Sequence, residues 1–201
     1  MLIQTDYIIL RKIPFQESSL IVSGLSPDCG RLDFLLKGAR GTGTKKFPYA
    51  GLFRELTVEF RENPSGAGLL YMKSQEPKCS FDTISDYPEN YIRLCSWVQF
   101  LLRHTRPMLA VRQTYEALRL ALARLSSGGG EFQLAAAELV FLQESGFVPE
   151  TAEHGQERES LLKQTLAYAV DPECPEPVAV QEKREQLIRW IRSLSGNADS
   201  Y

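Results

Sequence analysis

The sequence predicts an α+β protein, with a small five-stranded β-barrel in residues 1–80 and an all-α helical domain in residues 81–201. Two observations carry this reading. The first part holds short stretches in which apolar and polar residues alternate with a period of two, broken by Gly, Pro, Ser and Asn turns. The second part holds longer stretches, rich in Ala, Leu and Arg, whose apolar residues recur at helical spacing. A chain of 201 residues, 43% hydrophobic, can bury a sizeable core without disulfides or metals.

The strands come in order. "DYIILRKI" and "SSLIVSGLS" are β-branched and apolar, and the turn "PDCG" follows them. In "RLDFLLK", Leu32, Phe34 and Leu36 share one face, while Arg31, Asp33, Leu35 and Lys37 share the other. "LFRELTVEF" sets Leu56, Val58 and Phe60 opposite Glu55, Thr57 and Glu59. After the turn "NPSGAG", "LLYMKSQE" is the fifth strand. Closing five such strands into a barrel removes most exposed edges.

The pattern turns helical after "DTISDYPEN", which places the domain boundary near Asp82 to Pro88. "YIRLCSWVQFLLRH" is a helix that Pro107 separates from the next, "MLAVRQTYEALRLALARLSS". The triplet "GGG" ends that helix, and Gly146 ends a third, "EFQLAAAELVFLQESG". "ERESLLKQTLAYAV" is a fourth. "VAVQEKREQLIRWIRSLSG" reads as one final amphipathic helix, with Leu187, Ile188, Trp190, Ile191 and Leu194 on its apolar side.

Several function classes find no support. No apolar run reaches the length of a membrane span, and "MLIQTDYIILRKIPF" lacks a signal-peptide pattern, so the expected location is cytoplasmic. Cys29, Cys79, Cys95 and Cys174 form no close pairs with each other or with His104 and His154, so no metal or other cofactor is expected. Gly38 and Gly43 have the spacing of a nucleotide-phosphate loop, but Thr44-Lys45 reverses the required order and no helix signal follows. No nucleophile or acid–base constellation stands out, and the expectation is a non-enzymatic protein.

Charge is the stronger signal. The net charge of −2 hides an uneven distribution. Residues 11–46 carry seven basic residues (Arg11, Lys12, Arg31, Lys37, Arg40, Lys45 and Lys46) against three acids. Residues 90–130 carry six arginines against one acid, and residues 131–201 carry six basic residues against thirteen acids. The first block makes Arg31, Lys37, Arg40, Lys45, Lys46, Arg11 and Lys12 the candidate DNA-binding residues. Small five-stranded barrels bind single strands by pairing a basic groove with stacking aromatics, and Phe34, Phe47, Tyr49 and Phe53 lie nearby, Phe34 pointing into the core. The arginines from Arg93 to Arg124 serve equally well as a DNA surface or as ion-pair partners of the acidic last segment.

The segment "IILRKIPFQESSLIVSGLSPDCGRLDFLLKGARG" resembles the N-terminal part of the RecO family of bacterial recombination mediators. The likeness rests on Leu10 in an initial strand, Glu17-Ser18 before a second, Gly30-Arg31-Leu32 opening a third, and Lys37-Gly38-Ala39-Arg40 after it. "LVFLQESGFVPE" resembles that family's helix ending in Leu-x-x-x-Gly-Phe-x-Pro. The resemblance implies an OB-type barrel and a helical domain. It implies binding of single- and double-stranded DNA, strand annealing, loading of RecA, and partnership with RecR-type and single-stranded DNA-binding proteins. Arg31, Lys37 and Arg40 match the family's basic barrel positions. Many members carry a four-cysteine zinc module after the Gly-Phe-x-Pro helix; "GFVPETAEHGQ" has no cysteine, so this chain reads as a short form without it. The alternative is a protein-interaction adaptor, barrel plus helical bundle, with little direct DNA binding.

Overall fold

The computed structural model describes residues 1–40, 47, 49–62, 68–149 and 155–198. Five strands, β1 (Leu2–Phe15), β2 (Ser19–Ser26), β3 (Gly30–Leu36), β4 (Arg54–Arg61) and β5 (Met72–Ser80), form an antiparallel sheet in the order β3-β2-β1-β4-β5. A parallel bridge between Phe34 and Leu70 joins its two edges. There the Leu35 amide donates to the Leu70 carbonyl and the Leu70 amide to that of Asp33, both at 2.9 Å. These bonds occupy edge groups that an open sheet would leave unpaired. β1 can serve both halves because it is long. Residues 2–8 pair with β4, residues 8–15 pair with β2, and an irregularity between Ile9 and Arg11 bends the strand.

The alternation read from the sequence sets the barrel core. Leu32, Phe34, Leu36, Leu56, Val58 and Phe60 are all buried, together with Tyr7, Ile9 and Val22. Phe34 meets Tyr7 and Phe60 edge to face at 5.2 and 5.4 Å, contacts worth about 0.5–1.5 kcal/mol each beyond their area. The Tyr7 hydroxyl lies 3.1 Å from the Leu32 carbonyl, so its polar end is satisfied inside the barrel. Gly24 is required beside it. A Cβ there would stand 2.1 Å from the Ile8 carbonyl oxygen and 2.6 Å from the Tyr7 ring. The fifth strand starts later than the sequence pattern suggests, at Met72, because Leu70 is spent on the bridge to Phe34.

Among the described residues, six helices follow a short 3-10 turn (Asp82–Asp86): α1 (Pro88–His104), α2 (Arg112–Ser126), α3 (Glu131–Glu144), α4 (Gly155–Val170), α5 (Val178–Glu182) and α6 (Arg184–Ala198). Contacts divide the chain into two compact units: Met1–Thr83 with Val98–Arg112, and Ile84–Trp97 with Gln113–Tyr201. In the first unit the stretch expected to open the second helix is instead non-helical. Met108 donates to the Cys29 carbonyl at 2.7 Å and Val111 to the Pro27 carbonyl at 2.9 Å, so these amides bond the barrel rather than a helix. Met108 takes a left-handed backbone, φ 59°, which also stops a helix from forming there.

In the second unit, α3 is apolar nearly all round and accordingly buried, with Phe132, Leu134, Leu139, Val140, Phe141 and Leu142 inside. It packs on α4 and α6. Its end is a glycine cap. Gly146 has φ +75°, its amide bonds the Gln143 carbonyl at 3.1 Å, and Phe147 bonds Leu142 at 2.8 Å. The single final helix expected from the sequence is two. A break at Lys183 (φ −113°, ψ 15°) separates α5 from α6, although no Gly or Pro marks it. Leu187, Ile188, Ile191 and Leu194 are buried on α6 as the apolar spacing predicts.

Candidate nucleic-acid interface

Strand register decides which side chains share the outer face of β1, β2 and β3. Arg11 stands opposite Ser23, and Ser23 opposite Asp33. The next row is Ile13, Ile21 and Leu35. Paired residues in an antiparallel sheet point to the same side, so these rows lie on one surface, and Arg31 and Lys37 belong to it by alternation. Lys12 pairs with Val22 and therefore sits on the other side of β1 from Arg11 and Ile13.

One end of this face is covered. The Arg31 guanidinium donates to Asp33 Oδ2 at 3.0 Å and to the Leu102 carbonyl at 2.9 Å, and its amide reaches the Arg106 carbonyl. Gly30 permits this approach, since a Cβ there would lie 2.3 Å from the Leu109 carbonyl oxygen. Arg31 is thus a tie between β3 and the α1–α2 connection. The other end is open. Arg11 is exposed and donates to Ser23 Oγ at 3.2 Å. Lys37 is exposed, with its ammonium 5.1 Å from the centroid of the Tyr71 ring. Arg40 is exposed and donates to the Gln16 carbonyl at 3.3 Å, beside the β1–β2 turn. Among the described residues, none of Arg11, Lys12, Lys37 and Arg40 forms an ion pair with a carboxylate. Lys45, Lys46 and the reversed Thr44-Lys45 pair lie outside the described residues, as do "NPSGA" and His154.

On the β4–β5 flank Arg61 and Lys73 are exposed without an ion pair among the described residues, whereas Lys78 is engaged by acids. Lys78 on β5 contacts Asp6 at 2.7 Å and Glu55 at 3.4 Å, and Thr57 donates to Asp6. The Asp6 hydrogen bond raises the Lys78 pKa above its usual range, so the ammonium is held charged and engaged. Glu55, expected on the solvent side of β4, is only 4% exposed because it lies within this network.

The arginines of the second basic block are largely engaged within the chain. Arg93 pairs with Glu131, Arg112 with Asp28 and Arg119 with Glu116. Arg124 donates to the carbonyls of Tyr168 and Asp171 and lies over the Tyr168 ring. Acids of the last segment are matched too, as in the pairs of Glu176 with Arg184 and Glu159 with Lys163.

The aromatics singled out from the sequence do not form the stacking surface. Phe34 and Phe53 are buried, and Phe47 and Tyr49 pack against the barrel core. The exposed aromatic of this face is Tyr71, at 55% exposure. It was legible only as the outward residue between Leu70 and Met72, both of which pack inward.

Residues 1–81 match the family model described as recombination protein O, N terminal. Over this stretch the chain is similar to the RecO family. Comparison with curated proteins gave no match. The match supports an OB-type fold for the barrel and a RecO-type role in DNA repair and recombination. The four cysteines are free thiols, Cys29 buried, Cys79 exposed, and Cys95 and Cys174 half-buried. No helix among the described residues is long and apolar enough to cross a membrane.

Proposed function

We propose that this RecO-like chain binds DNA without sequence preference on the open end of the β1–β2–β3 face and acts without chemistry of its own. One observation carries the reading. Among the described residues, Arg11, Lys37 and Arg40 are exposed around one surface with no carboxylate partner, whereas Lys78 is engaged by Asp6 and Glu55. Cations left without internal partners gain by displacing counterions from phosphates. Lys12 flanks this surface, and Lys45 and Lys46 extend the charge along the sequence beyond Arg40. Contacts of this kind fix position on the backbone and carry no base preference. Two strands held with their repulsion reduced can anneal, and a mediator of RecO type would pass such strands to a recombinase. RecR-type and single-stranded DNA-binding proteins are the partners this reading implies.

Anisotropy of a labelled oligo(dT) tests it. The full chain should bind saturably at low salt, and Arg11→Glu/Lys37→Glu/Arg40→Glu should abolish binding while leaving the circular dichroism unchanged. No binding by the wild type, or equal binding by the triple variant, would overturn the assignment. If partners were then retained from nuclease-treated lysate, the adaptor role would stand instead.

A further inference from the structure

The open end of the barrel face carries more than charge. Ile13, Ile21 and Leu35 form a row across three strands, and the Phe34–Leu70 bridge sets Tyr71 beside Leu35 as a fourth member. Ile13 is 40% exposed and Tyr71 55% exposed, while Ile21 and Leu35 are half-buried. At about 4.8 Å between neighbouring strands the row spans about 14 Å. That is the length of roughly four nucleotides stacked at about 3.4 Å each, the low end of the site sizes of OB folds. Arg11 borders the row on one side and Lys37 on the other.

Duplex DNA has no use for such a row. Its bases are stacked inside, and it offers phosphates to a flat surface. An unpaired strand presents aromatic base faces between its phosphates, a pattern complementary to an apolar row bordered by cations. Tyr71 has the geometry of a platform. Its ring carries the Lys37 ammonium at 5.1 Å, which leaves surface for a base while holding a cation where the adjoining phosphate would lie.

We propose that Tyr71 is a base-stacking residue, and that the Ile13–Ile21–Leu35–Tyr71 row makes this barrel select single-stranded over duplex DNA. The inference rests on the proposed DNA-binding role and adds to it a contact and a strand preference. The test compares three probes of equal length and charge per strand: oligo(dT), a duplex, and an abasic deoxyribose-phosphate oligomer. Wild type should bind oligo(dT) more tightly than the abasic strand. Tyr71→Ala should weaken oligo(dT) binding by about 5- to 150-fold, the range for loss of one stacked base, and leave abasic and duplex binding within about two-fold. Tyr71→Phe, which keeps the ring, should bind as wild type does. Equal affinity of wild type for oligo(dT) and either the duplex or the abasic strand, or equal losses on all three probes in a folded Tyr71→Ala, would overturn the inference while leaving backbone binding in place. Absence of binding to every probe would instead overturn the DNA-binding role, and this inference with it.

Discussion

Removing Arg11, Lys37 and Arg40 together should change how binding responds to salt, not only its strength. The three side chains are exposed, and the neutral contacts they make are modest, at 3.2 Å to Ser23, 5.1 Å to the Tyr71 ring and 3.3 Å to the Gln16 carbonyl. Truncation to alanine therefore leaves the barrel core untouched. If each cation neutralises one phosphate of a single strand, the log–log salt slope should fall by about 2, from three contacts at about 0.7 each. Between about 50 and 200 mM salt the wild type should then lose roughly 18-fold more affinity than the triple alanine variant. The assay is an anisotropy titration of oligo(dT) at four salt concentrations. Parallel salt slopes for the two proteins would refute the reasoning even if the variant bound more weakly, because weaker binding without a slope change is not loss of phosphate contacts.

Arg31→Ala should act on stability. Losing the Asp33 pair and the bond to the Leu102 carbonyl should cost about 1.5–3 kcal/mol in urea unfolding, with the salt slope of the folded fraction unchanged; unaltered stability would show that the tie is not formed. Gly24→Ala should cost about 1–3 kcal/mol or more, since the added carbon meets backbone and the Tyr7 ring, and a variant as stable as wild type would contradict the packing described. Burial raises the pKa of Glu138 on α3, and the Ser195 hydroxyl, which donates to it, offsets only part of this. The folded chain therefore holds that proton more tightly than the unfolded chain. Stability should fall as pH rises from the ordinary carboxylate range to the raised value, and Glu138→Gln should remove that part of the fall in a thermal-unfolding series. Identical pH profiles for the two proteins would rule the contribution out.

The barrel was legible because its information is local. The period of two through Arg31–Lys37 and Glu55–Phe60 names the inward residues without knowledge of their partners, and all six inward residues are buried. Helix ends at the glycine triplet and at Gly146 were legible for the same reason, since a left-handed cap needs glycine whatever surrounds it. Partner choice was not legible. Nothing near Arg31 in sequence says that its guanidinium will meet the Leu102 carbonyl, or that Lys78 will be taken by Asp6 and Glu55. The same limit hid the proposed interface. Charge counts grouped seven basic residues, but register was needed to separate Lys12 from Arg11 and to bring Tyr71 beside Leu35. Proximity along the chain points to the aromatics near the basic loop, whereas Phe47 and Tyr49 pack against the core. The break at Lys183 left no trace because the residues around it are good helix formers.

Photocrosslinking reads the DNA-contacting surface of the unaltered chain. A 4-thiothymidine oligomer bound to the full chain and irradiated will join to whatever side chains its bases touch. Adducts should map to peptides containing Ile13, Leu35, Lys37 and Tyr71, and high salt should suppress them. Adducts confined to residues 113–198, with none in the first 80 residues, would contradict the assignment of the barrel face as the DNA surface.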